Sequence, residues 1–334
     1  MDEHKAGTSR RDFLRKCVAG AVALSAAGEL KLLPAQVAAV QSRVVVARDA
    51  KLRAAGSKVD SGRVFGLLDR GMQAFYGVDN PLQAWRKLAR PGERVGLKVN
   101  TIAGRGLSTN VQLVDAICER LQQAGIPARD ILVWDRENRE PERAGFHLSS
   151  DANRVRCLGT DAFGYEEQPQ SFGTVRSKLS KILTRNCDVL INVPVLKDHS
   201  DSGITAALKN MYGVIDNPYS LHAGGCNPGI ADLNMLPAIR TKMRLTICDA
   251  TTASFDGGPS FEPESTWQHN GVILARDPVA LDFIAWRIIE HKRAEQGLKT
   301  LLAAGRAPRF IALAADARHQ LGTNDPNRIS LVEV

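Results

Sequence analysis

Hydrophobic and polar positions along this chain follow two different periods. Short runs rich in β-branched residues, such as residues 189–195, predict buried strands. Apolar residues three and four positions apart predict helices, and the stretch 204–211 has this spacing. We therefore expect a buried strand, then a polar loop at residues 197–202, then a helix that begins at Gly203.

The same two patterns alternate through the rest of the chain. Strands are predicted at residues 44–46, 94–100, 131–134, 155–158, 189–195, 245–248, 272–275 and 329–334. Further helices are predicted at residues 61–76, 81–88, 111–124, 227–242, 280–291 and 309–321. This order predicts an α/β fold, with a mostly parallel sheet covered by helices on both faces. The predicted domain covers residues 40–334, as one large body or as one body with two lobes.

The first 39 residues have the pattern of an export signal. Positions 9–15 read S-R-R-D-F-L-R, which resembles the twin-arginine (Tat) motif, and an apolar stretch follows at 17–28. That stretch is shorter than the roughly 20 residues that a membrane-spanning helix requires. We therefore expect the Tat export machinery as a partner, cleavage near residue 39, a periplasmic or otherwise exported location, and no membrane span after cleavage.

The charge of the chain narrows the class of ligand. The formal net charge is +8, and it is +6 without residues 1–39, which contain six basic and four acidic residues. The basic residues are spread along the chain, with no run interleaved with aromatic residues of the kind that binds nucleic acids. We therefore expect a small anionic ligand and no nucleic-acid partner.

Polar residues that suit ligand binding follow several of the predicted strands. They are Asn100, Lys197 with His199, Asp249 and Asp277. Ligands of open α/β sheets bind at the carboxyl ends of the strands, so these residues would share one site if their strands end at the same edge. The glycine-rich loop at 101–110 lacks the third glycine of a dinucleotide-binding fingerprint, and no Rossmann motif is predicted.

The candidate site residues fall into a catalytic and a binding group. The catalytic candidates are His199, His222 and Lys197. The imidazole of a histidine titrates near neutral pH and serves as a general acid or base. The substrate-binding candidates are Lys98, Asn100, Thr205, Lys209 and Asn210. The lysines would bind the anionic group and the asparagines would orient the ligand. Thr205 and Lys209, four residues apart, would share one side of the predicted helix.

A metal site is a further hypothesis. The candidate ligands are His199, His222, Cys226 and Asp249, with Asp256 as another source of carboxylate oxygen. Their spacing matches no metal-binding motif, so the presence and identity of a metal stay open. Five of the six cysteines lie after residue 39. An odd number of cysteines at irregular spacing does not predict a disulfide framework.

Four segments of the chain resemble the domain of unknown function 362 family. They are P-V-L-K-D-H with G-I-T-A-A-L-K-N-M-Y-G at 194–213, G-L-K-V-N at 96–100, an aspartate followed by G-G-P at 249–259, and A-R-D-P-V-A-L-D at 275–282. The resemblance extends over residues 44–290 and implies no particular activity. Many members carry a four-iron ferredoxin-like insert rich in Cys-x-x-Cys. This chain has no Cys-x-x-Cys, so a cluster of that type is not expected.

These observations lead to one principal hypothesis and two alternatives. The principal one is an exported enzyme that acts on a small carboxylate- or phosphate-bearing substrate, by proton abstraction beside a carbonyl or by redox chemistry with a bound cofactor. The Tat pathway moves folded proteins, which suits a tightly bound metal or organic cofactor. The alternatives are a periplasmic binding or carrier protein without turnover, and a structural partner of a membrane redox complex.

Overall fold

Most of the predicted strands and helices are present in the computed structural model, which describes residues 41–53 and 58–334. The predicted export signal lies outside these residues. The strands are β1 Ser42–Arg48, β2 Val95–Val99, β3 Ile131–Asp135, β4 Arg156–Gly159, β5 Gln170–Phe172, β6 Val175–Ser177, β7 Val189–Val193, β8 Val195–His199, β9 Gly203–Thr205, β10 Met243–Ser254, β11 Thr266–Trp267, β12 Gly271–Ala275 and β13 Ile329–Glu333. The helices are α1 Ser61–Tyr76, α2 Pro81–Leu88, α3 Val111–Gln123, α4 Arg139–Ala144, α5 Lys181–Arg185, α6 Ala223–Cys226, α7 Gly229–Asn234, α8 Pro237–Arg240, α9 Pro278–Glu295 and α10 Phe310–Ala314.

Eleven strands of the described chain form one sheet. Its main path is β13–β1–β12–β10–β7–β2–β3–β4, while β8 pairs with β10 and β9, and β11 pairs with β10. The path from β10 to β4 is parallel, as is the pair of β1 and β13, but β12 runs antiparallel to both of its neighbours. The sheet is therefore mostly parallel, as predicted, and β13 lies at its edge. The fold is α/β in a single domain.

Helices cover both faces of the sheet, which confirms the second part of the prediction. Successive side chains of a strand point to opposite faces. In β1, Val44 and Val46 pack on the face that α5, α7, α8, α9 and α10 cover. Val45 and Ala47 pack on the other face, against α1, α2 and α3. This burial on both sides explains why the strands have continuous apolar runs and not alternating ones.

The two longest helices each begin after an aspartate that caps the first turn. α1 begins after Asp60, whose carboxylate accepts the Arg63 N–H at 2.9 Å, and ends at Gly77, whose φ of +63° favours glycine. α9 begins at Pro278 after Asp277, whose carboxylate accepts two N–H groups of the first turn. The predicted spans of α1 and α2 match the structure. None of the described helices is long and apolar enough to cross a membrane.

The helix predicted from Gly203 is wrong, and so is the loop before it. Residues 195–199 form β8, which pairs antiparallel with β9, and a 3-10 helix then covers Lys209–Val214. Residues 202–212 are buried on all sides, so apolar residues at helical spacing do not mark one face of a helix here. Gly203 itself has a φ of +81°, and a Cβ there would lie 2.2 Å from the Arg306 carbonyl oxygen.

Other predicted elements differ in length or are divided. The helix predicted at 280–291 is the longer α9, and the strand predicted at 189–195 is divided at Pro194 between β7 and β8. The helix predicted at 227–242 is two short helices, α7 and α8, because Pro237 lacks an N–H and begins a new helix. The helix predicted at 309–321 contains only the short α10. The strand predicted at 245–248 is part of the twelve-residue β10, so Asp249 lies inside a strand and not at its end.

Candidate active site

A cavity of about 430 Å³ opens beside the carboxyl ends of β2 and β3 and the β8–β9 hairpin. Its walls include Lys98, Asn100, Asp135, Arg136, Glu140, Lys197, His199, Asp201, Thr205, Lys209, Asn210, Tyr212, Tyr219, His222 and Pro259. All eight residues predicted from the sequence as catalytic or substrate-binding are in this set. The fold therefore brings these eight residues together around one cavity, which is the candidate active site.

A chain of amides fixes the floor of the cavity. The Asn100 amide donates to the Asn210 carbonyl oxygen at 3.0 Å, and the Asn210 amide donates to Asn192 at 2.7 Å. Asn192, in the middle of β7, is fully buried and was not identified from the sequence. The Asn100 amide nitrogen is hydrogen-bonded to Asn210, so its Oδ1 faces Lys197. This oxygen accepts a hydrogen bond from Lys197 Nζ at 3.0 Å. The two asparagines thus position a lysine as well as line the cavity.

Lys98 is paired with a carboxylate. Its Nζ lies 2.7 Å from Asp135 Oδ1 and also donates to the Val99 carbonyl oxygen. The second oxygen of Asp135 accepts the N–H and the hydroxyl of Thr101 at 2.7 and 2.6 Å. Asp135 thus lines the cavity and forms a salt bridge at the same time. The charge of Lys98 is therefore balanced by the protein itself.

Lys197 has no such partner. Its side chain is fully buried, and its Nζ donates to Asn100 Oδ1 at 3.0 Å and to the Pro259 carbonyl oxygen at 3.3 Å. In residues 41–53 and 58–334, no carboxylate forms an ion pair with it. Burial lowers the pKa of Lys197 to about 8, because removing an ammonium from water disfavours its charged form.

Lys209 is the second buried lysine without a carboxylate in the described chain. Its Nζ lies 3.3 Å from His222 Nε2 and 3.5 Å from the centre of the Tyr212 ring. An ammonium over an aromatic face is attracted by the negative face of the ring. Burial nonetheless lowers the pKa of Lys209 to about 8. Cys226, predicted as a metal ligand, lies beside this lysine, and burial raises the pKa of its thiol.

The two histidines carry their protons on different nitrogens. His199 Nδ1 accepts the N–H of Asp201 at 3.0 Å, so the proton of the neutral ring is on Nε2. His222 Nδ1 lies 3.0 Å from the Pro218 carbonyl oxygen and must donate to it, so Nε2 holds the lone pair. Burial lowers the pKa of His199 to about 3, and burial with the adjacent Lys209 lowers that of His222. The pair consists of one hydrogen-bond donor and one base, with ring centres 6.1 Å apart.

The predicted metal set is brought together only in part. Ligand atoms of His199, Asp201 and His222 lie within 4.8 Å of one another, and Asp201 was not identified from the sequence. His199 fits a metal poorly, because its Nδ1 lone pair accepts backbone N–H groups and its Nε2 carries the proton. Asp249 does not line the cavity, since its oxygens accept the N–H groups of Asn110 and Thr251 at 2.6 and 2.8 Å.

Two other carboxylates expected near the site lie elsewhere. Asp277 caps α9. It lies away from the cavity because β12 is antiparallel to β10, so the carboxyl ends of these two strands point in opposite directions. Asp256 forms ion pairs with Arg293 and Arg306. The expectation that all the strand-end residues share one site is therefore wrong for Asp249 and Asp277, whereas Asn100, Lys197 and His199 line the same cavity.

Asp282 acts behind the cavity wall. Its carboxylate is fully buried near the start of α9 and accepts the N–H groups of Ala207 and Leu208 at 2.6 and 3.1 Å. These two residues directly precede Lys209 and Asn210. Burial raises the pKa of Asp282 to about 7. A remote helix thus holds the segment that presents two of the cavity residues.

The cavity lies inside a segment that a family model matches. The model described as Domain of unknown function (DUF362) matches residues 95–287, which include every residue of the cavity wall. The chain belongs to the DUF362 family. The resemblance seen in the sequence is therefore confirmed. The description of the DUF362 family names no activity.

Two other proteins are similar to this DUF362 chain. The thylakoid-associated protein sll1697 of Synechocystis sp. is 26% identical over 222 residues, which are 63% of this chain and 67% of that protein. A crystal structure of a Thermotoga maritima protein aligns with a TM-score of 0.41 and 10% identity, over 74% of this chain and 61% of that one.

Proposed function

We propose that this protein is an enzyme that binds and transforms a small molecule carrying a carboxylate or a phosphate group. The observation that carries the proposal is the pair of buried lysines, Lys197 and Lys209, which face one cavity without a carboxylate partner in the described chain. Burying an ammonium is unfavourable unless an anion or hydrogen bonds balance it. A ligand anion would supply the missing negative charge in this cavity.

The surrounding residues have separate roles in this proposal. Lys209 and Lys197 attract the anion, while Lys98 keeps Asp135 and the adjacent loop in place, because its charge is already balanced. Asn100 and Asn210 orient the ligand from the cavity floor. Thr205 faces the cavity with a hydroxyl that has no hydrogen-bond partner in the described residues.

The histidine pair supports turnover as the leading hypothesis. His222 holds a lone pair on Nε2 next to Lys209, and so it suits the role of general base. His199 holds an N–H on Nε2 and suits that of hydrogen-bond donor to a developing oxyanion. Together they would move a proton at a carbon or oxygen next to the anionic group. A carrier without turnover would use the same lysines but would not need this difference between the two rings.

Anion binding by the lysines is directly measurable. Titration calorimetry with phosphate, succinate and glycolate at pH 7 should show binding of at least one of these anions. Lys209→Met should weaken it more than tenfold, because the cation over Tyr212 is lost, whereas Lys178→Met, at an exposed lysine, should leave it unchanged. If none of the three anions binds, or if Lys209→Met binds like the parent, the proposal is wrong.

His222 separates an enzyme from a carrier. His222→Gln removes the basic nitrogen but keeps a polar side chain of similar size. For an enzyme, this variant should still bind the anion and should fail to catalyse exchange of substrate hydrogen for deuterium, measured by proton NMR with bound candidate carboxylates. For a carrier, neither protein would exchange hydrogen, and the catalytic role would be discarded.

We also propose that the protein is exported through the Tat pathway and acts in the periplasm. The motif S-R-R-D-F-L-R at positions 9–15 supports this, together with the short apolar stretch that follows it. Replacing both arginines by lysine should leave the full-length protein inside the cell, as cell fractionation would measure. An unchanged distribution of the variant would overturn the export proposal.

A further inference from the structure

Among the lysines of the cavity, Lys197 has the surroundings of a nucleophile. Lys98 forms an ion pair with Asp135, and Lys209 lies over the Tyr212 ring, so each of them contacts a group that attracts an ammonium. Lys197 has two hydrogen-bond acceptors, Asn100 Oδ1 and the Pro259 carbonyl oxygen. A neutral amine has two N–H donors and one lone pair. The two acceptors match the two donors and leave the lone pair free to react.

A second observation comes from the residue opposite Lys197. In the hairpin of β8 and β9, Lys197 is the direct partner of Thr205, and directly opposed side chains lie on the same face. The Thr205 side chain is 3% exposed, lines the cavity, and its hydroxyl has no hydrogen-bond partner among the described residues. Leaving a buried hydroxyl without a partner is unfavourable, so a ligand atom is expected between these two side chains.

We propose that Lys197 is a catalytic nucleophile that forms an imine with the aldehyde or ketone group of a small anionic carbonyl compound. This rests on the proposed anion site and names its substrate class. The compound would place its carboxylate or phosphate at Lys209 and its carbonyl carbon at Lys197. Burial lowers the pKa of Lys197 to about 8, so about half of it is the reactive free amine at pH 8.

The step balances without any further reactant. The lone pair of Lys197 forms a bond to the carbonyl carbon, and the C=O π electrons move to the oxygen, which takes a proton. The resulting hydroxyl leaves as water when it gains a second proton, and the nitrogen loses its two protons to give the neutral imine. His199, two residues along the same strand and thus on the same face, carries an Nε2–H for the oxygen. His222 accepts a nitrogen proton on Nε2.

Reductive trapping tests this proposal. The full chain is incubated with glyoxylate and sodium cyanoborohydride at pH 8, and the modified lysines are located by peptide mass spectrometry. Lys197 should be modified at least tenfold faster than the exposed Lys178 and Lys299 in the same sample. Glycolate, which has the carboxylate but no carbonyl, should protect Lys197 and leave the two exposed lysines unaffected. Equal or slower modification of Lys197 would overturn the proposal.

Two variants control for folding. Lys197→Met removes the amine and should abolish modification at this position, and circular dichroism and thermal melting check its fold. Thr205→Val keeps Lys197 and the shape of the wall but removes the unpartnered hydroxyl, and should slow trapping at Lys197 about fivefold without slowing it at Lys178. If trapping at Lys197 is as fast in Thr205→Val as in the parent, the assigned position of the carbonyl is wrong.

The same samples separate this proposal from the anion site on which it rests. If glycolate binds by calorimetry and glyoxylate is not trapped at Lys197, the nucleophilic role of Lys197 is wrong and the anion site is supported. If neither glycolate nor phosphate binds and Lys197 is not trapped, both fail. If Lys197 is trapped and glycolate does not slow the trapping, the proposal of a reactive amine is supported. The assignment of Lys209 as the residue that binds the anionic group is then wrong.

Discussion

Lys98 and Asp135 form a buried ion pair at the carboxyl ends of two neighbouring strands, with 2.7 Å between Nζ and Oδ1 and almost no exposed side-chain surface. β2 and β3 are adjacent and parallel, so a lysine near the end of one strand meets an aspartate at the end of the next. Asp135 also accepts the N–H and the hydroxyl of Thr101. The pair therefore joins two strands and the first residues of the loop between β2 and α3.

Removing one partner of this pair should be strongly destabilising. Lys98→Met leaves a buried carboxylate and Asp135→Leu leaves a buried ammonium, and each should lower the free energy of unfolding by about 3–5 kcal/mol. The double variant should lose less than the sum of the two. Urea unfolding of the four proteins gives the coupling energy. Additive losses would mean that the two charges do not stabilise each other.

Gly213 gives a test of the same pair by crowding. A Cβ at this position would lie 2.6 Å from Lys98 Nζ and 3.0 Å from Asp135 Oδ1, so Gly213→Ala should push the two groups apart and cost about 1–3 kcal/mol. Gly66, inside α1, is the matched control, because its nearest neighbour would be 3.7 Å from the new Cβ. Gly66→Ala should be neutral or stabilise the protein by up to about 1 kcal/mol. Equal melting temperatures of the two variants would contradict this contrast.

Anion binding should depend on pH through the two unpaired lysines. Burial lowers the pKa values of Lys197 and Lys209 to about 8, so both are mainly charged below that pH and mainly neutral above it. Anion affinity should therefore be highest near pH 7 and fall more than tenfold by pH 9.5, as calorimetry with phosphate or glycolate would measure. An affinity that stays constant between pH 7 and pH 9.5 would mean that neither ammonium binds the anion.

Asp282 should make the stability of the fold pH-dependent. Its pKa is raised from 3.8 to about 7 by burial, so between these pH values the folded protein holds a proton that the unfolded chain releases. The contribution of Asp282 to the free energy of unfolding should thus be largest at low pH and fall by roughly 1.4 kcal/mol per pH unit up to about pH 7.

The variant Asp282→Asn isolates this effect. The amide does not titrate, so the stability of the parent relative to the variant should fall by about 1.4 kcal/mol per pH unit as the pH rises from 4 to 7, as urea unfolding at a series of pH values would show. At pH 4 the parent is protonated, and its hydroxyl oxygen can still accept a hydrogen bond, whereas the NH2 group of the variant cannot. The variant should therefore be the less stable protein at pH 4. A difference independent of pH would contradict the raised pKa.

The eight catalytic and binding candidates were identified from their chemistry, and their roles stay predictions. Residues such as Lys98, Asn100 and Lys197 were found because a polar group at the end of an apolar strand marks the ligand-binding edge of an α/β sheet. Asn192 was missed because it sits within an apolar strand, and only its contact with Asn210 gives it a role. Tyr212 and Asp201 were not among the candidates, and the tertiary structure brings both of them to His222.

The sequence by itself determined the alternation of strands and helices, the burial of the sheet on both faces and the ends of α1 and α2, because periodicity, caps and proline act within a few residues. Only the tertiary structure decided that residues 195–205 form a hairpin, since a segment buried on every side has no polar face to reveal its period. It also decided which charges are balanced. Lys98, Lys197 and Lys209 look alike in the sequence, and the pairing of β2 with β3 gives a carboxylate to the first of them alone.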